Sequence, residues 1–198
     1  MHKVVALMEV FLHNKHGETF CGDRFLSIPQ PLSTLYVMVD GVGHGKEASF
    51  AADKACVSIL SAAEKPLHEI ITRCEASLTE TRGVAISFVR QTPSKNLIEY
   101  VGIGNVESYI FSDRRTIQLA KKPGIFGTRR RSFEIKSQAI PENATLLMFT
   151  DGVGQVPVQL MHHFQNMRPR HMVKVLSERW KGKDDICILC EDLSNDWD

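Results

Sequence analysis

The chain is 198 residues long and carries 24 Lys and Arg against 23 Asp and Glu, a formal net charge of +1. That length suffices for the core of one domain and would cramp a second, so residues 1–198 are expected to form a single domain with no separate regulatory part. The balanced charge excludes a whole-protein field that would draw nucleic acid or an anionic membrane, and no apolar run approaches the roughly 18 residues that span a bilayer.

Met1-His-Lys-Val-Val-Ala-Leu-Met-Glu9 has a charge inside a short apolar stretch and no small-residue cleavage site, which excludes a signal peptide. The five cysteines are scattered through apolar segments as reduced core residues are, and the chain is expected in the cytoplasm. Val4 to Leu12 predicts a first strand, and His13 to Thr19 a polar turn into Cys21-Gly-Asp23. Pro29 and Pro31 break the chain before Leu35-Tyr-Val-Met-Val39, a strand that delivers Asp40-Gly41. After a glycine-rich turn over 41–45, Ala48, Ala51, Ala52, Ala55, Cys56, Ile59 and Leu60 recur on one helical face. Pro66 opens a second helix, with Leu67, Ile70, Ile71, Cys74 and Leu78 along its buried stripe.

From Gly83 the apolar runs take the length and punctuation of strands: Val84 to Val89, Leu97 to Ile103, Val106 to Phe111 and Thr116 to Ala120. A short run, Ser132 to Lys136, precedes Leu146-Leu-Met-Phe-Thr150, which delivers Asp151-Gly152. Helices are expected around Val158 to Gln165 and Pro169 to Trp180, and a last strand over Ile186 to Cys190 behind Asp184-Asp185. This order predicts an α+β domain with helices covering an antiparallel sheet or sheet pair. Arg129-Arg130-Arg131 reads as a solvated loop in preference to a docking patch for an acidic partner.

A lone Asp-Gly is an ordinary turn dipeptide. Here two of them close strongly apolar strands, and Asp23 and Asp184-Asp185 stand at other strand ends. Several aspartates without His or Cys company suit Mg²⁺ or Mn²⁺, which prefer hard oxygen ligands and retain water, over zinc. Gly41 can offer its carbonyl to such an ion, because a residue without Cβ lets the backbone approach. The segment Gly41 to Lys46 is not a Walker loop: Asp40 stands where the first glycine must be, and Glu47 where Ser or Thr must follow the lysine. Its glycines at 41, 43 and 45 also miss the dinucleotide spacing. His44 reads either as a proton donor or as a polar turn residue.

Cys187 and Cys190, three apart in a strand, face opposite ways and read as core, not as half of a zinc clamp. His162-His163 likewise diverge on their helix. No cysteine is followed six positions later by arginine, and G-x-S-x-G is absent. Neither a cysteine phosphatase nor a serine hydrolase is indicated.

Asp40-Gly41, the small-residue helix behind it, Gly83 at a strand start, Gly104-Asn105, Phe149-Thr-Asp-Gly152 and Asp184-Asp185 resemble, in that order, the motifs of the PPM metal-dependent serine/threonine protein phosphatases. Within that family, Cys21-Gly-Asp23, Asp40-Gly-Val-Gly-His-Gly45 and Gly104-Asn-Val106 in so short a chain are most similar to the feedback phosphatases of the bacterial stressosome. The resemblance spans nearly the whole chain. It implies a four-layer α-β-β-α sandwich, two antiparallel sheets flanked by helices, with metals in a cleft at one end.

The resemblance further implies two Mn²⁺ or Mg²⁺ ions. Asp40, Asp151 and Asp184 would hold one and serve as the catalytic residues. Asp40 and the Gly41 carbonyl would hold the other, with Asp23 reaching it directly or through water, and Asp185 falls to a supporting role. The implied reaction dephosphorylates phospho-Ser/Thr on STAS-domain stressosome proteins and resets bacterial stress signalling. It proceeds by in-line attack of a metal-bridging hydroxide with no phosphoenzyme. Four departures stand out: Gly22 replaces a frequent metal-binding Glu, no arginine shortly precedes Asp23 to clamp phosphate although Arg24 follows it, Glu107 replaces a usual Arg, and Cys187 replaces a usual Thr or Ser. Gly22, Glu107 and the basic 129–131 loop motivate an alternative, a catalytically weak or inactive PPM-like module that binds a stressosome or anti-sigma-antagonist partner. The retained Asp40, Asp151 and Asp184 weigh against it, because buried like charges repel without a cation.

Overall fold

Runs such as Leu35 to Val39 and Ile186 to Cys190 are apolar on both faces of their strands, a pattern that demands cover on each side. The computed structural model, which describes residues 8–128 and 132–193, supplies that cover in four layers. Its strands are β1 (Met8–His13), β2 (Asp23–Pro29), β3 (Thr34–Gly41), β4 (Val84–Thr92), β5 (Leu97–Ile103), β6 (Glu107–Ser112), β7 (Arg115–Gln118), β8 (Lys121–Lys122), β9 (Lys136–Ala139), β10 (Thr145–Phe149) and β11 (Ile186–Asp192). Helices α1 (Gly45–Ser61) and α2 (Leu67–Ser77) follow β3, and α3 (Val158–His163) and α4 (Pro169–Ser177) follow β10. Among the described residues one sheet runs β1-β11-β10-β6-β7, and the other runs β2-β3-β4-β5 with β8 and β9 both on the outer edge of β5.

The side chains of β3 show how the layers share the chain. Leu35, Val37 and Val39 pack with Ala51, Ala52 and Ile59 of α1 and with Ile70 and Ile71 of α2. Their alternates, Tyr36 and Met38, pack with Ile110, Leu146, Met148 and Leu189 of the opposite sheet. On the far side of that sheet Ile186, Ile188 and Cys190 meet Phe164, Met172, Val173 and Leu176. Cys187 therefore lies between the sheets and Cys190 under the outer helices, as a spacing of three requires.

The expected α-β-β-α architecture is present, with local differences. Leu60 is 53% exposed, because the position one step beyond Ile59 has turned about 100° away from the buried face of α1. Ser132 to Ile135 form no strand, and pairing begins at Lys136. In the β5–β9 register Lys136 lies opposite Tyr100, so Glu134 would face Gly102, whose free edge is already taken by Lys121 of β8. The helix expected to reach Trp180 ends at Ser177, and the Trp180 indole N–H turns back to donate to the Asp184 carbonyl at 2.9 Å. Val4 to Leu7 of the first expected strand and Arg129-Arg130-Arg131 lie outside the described residues. Among the described residues no helix is long and apolar enough to cross a membrane.

Candidate metal centre

The β2–β3 hairpin turns over residues 30–33, and Asp23 and Asp40, each six positions along its strand from that turn, stand directly opposite one another. Two carboxylates paired across a ladder repel, yet both are held there by packing. Gly41 sits so close to α1 that a Cβ on it would come 2.2 Å from the Ala48 carbonyl oxygen. Its N–H donates to the Gly22 carbonyl at 3.0 Å. The second Asp-Gly pair repeats the device, since a Cβ on Gly152 would lie 1.9 Å from the Asp185 carbonyl oxygen. In each pair glycine permits a close backbone approach, and that approach fixes the aspartate before it at the rim of the core.

The β10–β11 pairing brings the end of β10 and the start of β11 to this same end of the sandwich. Asp40, Asp151 and Asp184 there line one cleft of about 500 Å³, with His44 and Asn105 beside them. Asp23 lies behind the cleft, only 2% exposed. The Thr150 hydroxyl donates to Asp23 Oδ2 at 2.7 Å while accepting from the Cys187 N–H at 2.8 Å. Asn105 donates its side-chain amide to Asp151 Oδ2 at 2.7 Å.

The electrostatics are those of like charges drawn together out of water. Burial first, then the charges of Asp151 and Asp184, push the Asp40 carboxyl up to about 7. Asp23 is raised well above the carboxylate range by burial and by Asp40, against the pull of its hydrogen bond from Thr150. Asp151, although its outer surface is open, is raised by partial burial and by Asp184. No ion pair among the described residues engages Asp40, Asp151 or Asp184. The donors gathered there are chiefly hard oxygens, and the one imidazole beside them, His44, is engaged through Nδ1 by Glu18. Among the described residues no three His, Cys, Asp or Glu side chains close into a metal cage by themselves. Such a set suits an oxygen-seeking, octahedral cation that keeps part of its water shell.

The neighbouring residues have definite tasks. Asp185 uses both carboxylate oxygens on backbone, accepting from the Lys15 N–H at 2.8 Å and the Gly22 N–H at 2.7 Å. Gly22 has no room for a side chain, since a Cβ would stand 2.9 Å from the Ala48 Cβ and 3.0 Å from Asp185 Oδ2. Arg24 turns away from the cleft onto Ser49 and Asp53 of α1. Glu107 is neutralised by Lys121 at 2.7 Å, and Lys121 also donates to the Asn105 carbonyl at 2.9 Å. His44 is fastened through Nδ1 to Glu18 at 2.6 Å. Sequence reasoning gave Asn105 and Thr150 no role of their own. The signals for them were membership in the Gly104-Asn105 and Phe149-Thr-Asp-Gly152 motifs, which did not say what either side chain would touch.

Residues 31–193 match the family model of Stage II sporulation protein E (SpoIIE). This chain belongs to the SpoIIE family. As a SpoIIE-family chain it is 20% identical over 191 residues to phosphoserine phosphatase RsbX of Bacillus subtilis (strain 168), a match covering 93% of this chain and 94% of that protein. The crystal structure of RsbX in complex with magnesium superposes with a TM-score of 0.85 at 19% identity, over 96% of this chain and 100% of that one. A chain from structural work on the bacterial stressosome, described as a modular system adapted to control secondary messenger signalling, gives 0.82 at 26% identity, over 94% and 99%. The PP2C phosphatase domain of SpoIIE from Bacillus subtilis gives 0.81 at 15% identity, over 96% of this SpoIIE-family chain and 64% of that structure. The fold is thus that of the PP2C phosphatases, as the sequence motifs implied.

Proposed function

We propose that this chain is a metal-dependent protein serine/threonine phosphatase acting on phosphorylated STAS-domain proteins of a stressosome. The observation that carries the proposal is the gathering of Asp40, Asp151 and Asp184 on one cleft without an ion-pair partner among the described residues, Asp40 and Asp151 being raised by burial and by neighbouring carboxylate charge. The similarity to RsbX and to a stressosome chain supports the choice of substrate.

In this reading Asp40, Asp151 and Asp184 would hold one Mg²⁺ or Mn²⁺ ion, and Asp40 with the Gly41 carbonyl a second, Asp23 standing behind. When bound, such ions supply Lewis acidity that activates water and offsets charge on the phosphoryl oxygens. The chain's own residues set the stage. Asn105 orients Asp151, Thr150 braces Asp23, and Asp185 ties the loop carrying Gly22 to the start of β11. No side-chain nucleophile is required, and the thiol two positions before Asp23 argues against one: burial pushes Cys21 up to about 12, leaving it protonated.

The test is hydrolysis of p-nitrophenyl phosphate and of a phosphorylated STAS protein with Mg²⁺, Mn²⁺ or EDTA, comparing wild type with Asp40→Asn and Asp151→Asn. Metal-dependent turnover should fall by on the order of 10³-fold in each variant, the equivalent of several kcal/mol of lost charge stabilisation. Metal stabilisation without turnover on either substrate would sink the phosphatase reading in favour of a binding module.

A further inference from the structure

Ions held by the carboxylates would supply positive charge at the floor of the cleft, and a phosphoryl dianion is held better still where a further cation meets it near the opening. Two cations near the cluster are already committed. Arg24 donates through Nη1 to the carbonyls of Cys21 and Asp23, through Nη2 to Ser49 and through Nε to Asp53, all at 2.8–2.9 Å. Lys121 is held between Glu107 and the Asn105 carbonyl.

Arg82 differs in both position and partner. It lies between α2 and β4, and the next residue, Gly83, accepts a hydrogen bond from the Val42 N–H at 3.1 Å. The backbone carrying Arg82 is thereby tied to the loop that walls the cleft, which Val42 and Gly43 line. Arg82 Nη1 stands 3.2 Å from where a Cβ on Gly43 would be, so the guanidinium lies against a residue that lines the cleft without lining it itself. Nη2 pairs with Glu47 in the first turn of α1. Both side chains are open to solvent, 52% and 67% exposed, and an ion pair of that kind holds its partners weakly. A guanidinium offers paired N–H donors that match two phosphate oxygens at once.

We propose that Arg82 anchors the substrate phosphate at the mouth of the cleft, exchanging Glu47 for the phosphoryl oxygens. Glu47 is then a built-in competitor that keeps the guanidinium over Gly43 between turnovers. The inference deepens the phosphatase reading and rests on it for the identity of the ligand.

The test is calorimetric titration of inorganic phosphate into the Mg²⁺-loaded full chain, alongside kinetics on p-nitrophenyl phosphate, for wild type, Arg82→Ala, Arg82→Lys and Glu47→Gln. Arg82→Ala should weaken phosphate binding and raise KM by on the order of 10- to 100-fold, with a smaller change in kcat. Arg82→Lys should restore part of the loss, keeping the charge without the fork. Glu47→Gln should tighten phosphate binding about threefold by freeing the guanidinium. A merely structural ion pair would make Arg82→Ala and Glu47→Gln err in the same direction, and that result overturns the assignment. So does phosphate affinity within about twofold of wild type in Arg82→Ala, or a wild type that binds no phosphate. Phosphate binding through Arg82 in a protein that hydrolyses neither substrate would instead sink the phosphatase reading and leave the anchor standing.

Discussion

The two ends of the sheet sandwich bury acid in opposite ways. At one end Asp23, Asp40, Asp151 and Asp184 crowd together beside an open cleft. At the other, Glu191 is 8% exposed near the end of β11, with one carboxyl oxygen unpartnered among the described residues. Its charge acts on Tyr36, whose hydroxyl donates to Gln91 at 3.4 Å. Burial, then the charge of Asp192, pushes Glu191 up to about 7. A buried carboxyl closed off from any shared cleft is relieved by taking up a proton. A cluster can be answered by one multivalent ion, which meets several charges at once. Number and access, more than burial itself, separate a site from a flaw in the core.

Three substitutions sharpen this contrast. The largest effect is expected from Gly152→Ala at the acidic end, where the new methyl would overlap the Asp185 carbonyl. Denaturant unfolding should show a loss of about 3 kcal/mol, and a neutral outcome would mean that the close approach is not what fixes Asp151. Next comes Glu191→Gln. The folded-state pKa of Glu191, about 7, lies above its ordinary 4.5, so the folded protein holds this proton more tightly than the unfolded chain. Stability from this group is full below about 4.5 and is lost as pH rises to 7. Glu191→Gln should therefore be more stable than wild type by about 2 to 3 kcal/mol at pH 8 and nearly equal to it at pH 4. A pH-independent difference would show that packing, not charge, governs that end.

The last test addresses the acidic end by the same logic. In EDTA at pH 8, Asp40→Asn should raise stability by about 2 kcal/mol, because one of the repelling charges is gone. The same variant should lose the rise in melting temperature that Mg²⁺ gives the wild type. Retention of the full Mg²⁺ shift would place the cation elsewhere.

Much of this was legible in the chain. Continuous apolar runs closing on Asp40 and Asp151 announced strands buried on both faces with charge at their ends, and the stripe Leu67, Ile70, Ile71, Cys74, Leu78 is wholly buried as read. What periodicity does not carry is partnership across the sheets. The pairing of Asp23 with Asp40 depends on the length of the turn between β2 and β3, and Thr150 reaches Asp23 only because two sheets face each other. The short strands β8 and β9 were obscure for another reason: they compete for one edge of β5, so an apolar-looking run at 132–135 was left without a partner. The sequence leaves the direction of Arg24 beside Asp23 open, and the tertiary position of α1 together with two nearby carbonyls settles it.

The narrow seat of Gly22 between Ala48 and Asp185 has a mutational consequence. A glutamate introduced at position 22 would press its first carbon against a helix side chain and against the carboxylate that holds the loop, so Ala48 or the Asp185 clamp must give way for it. The effect of such a substitution therefore depends on the background in which it arises, and changes at 22, 48 and 185 should not act independently.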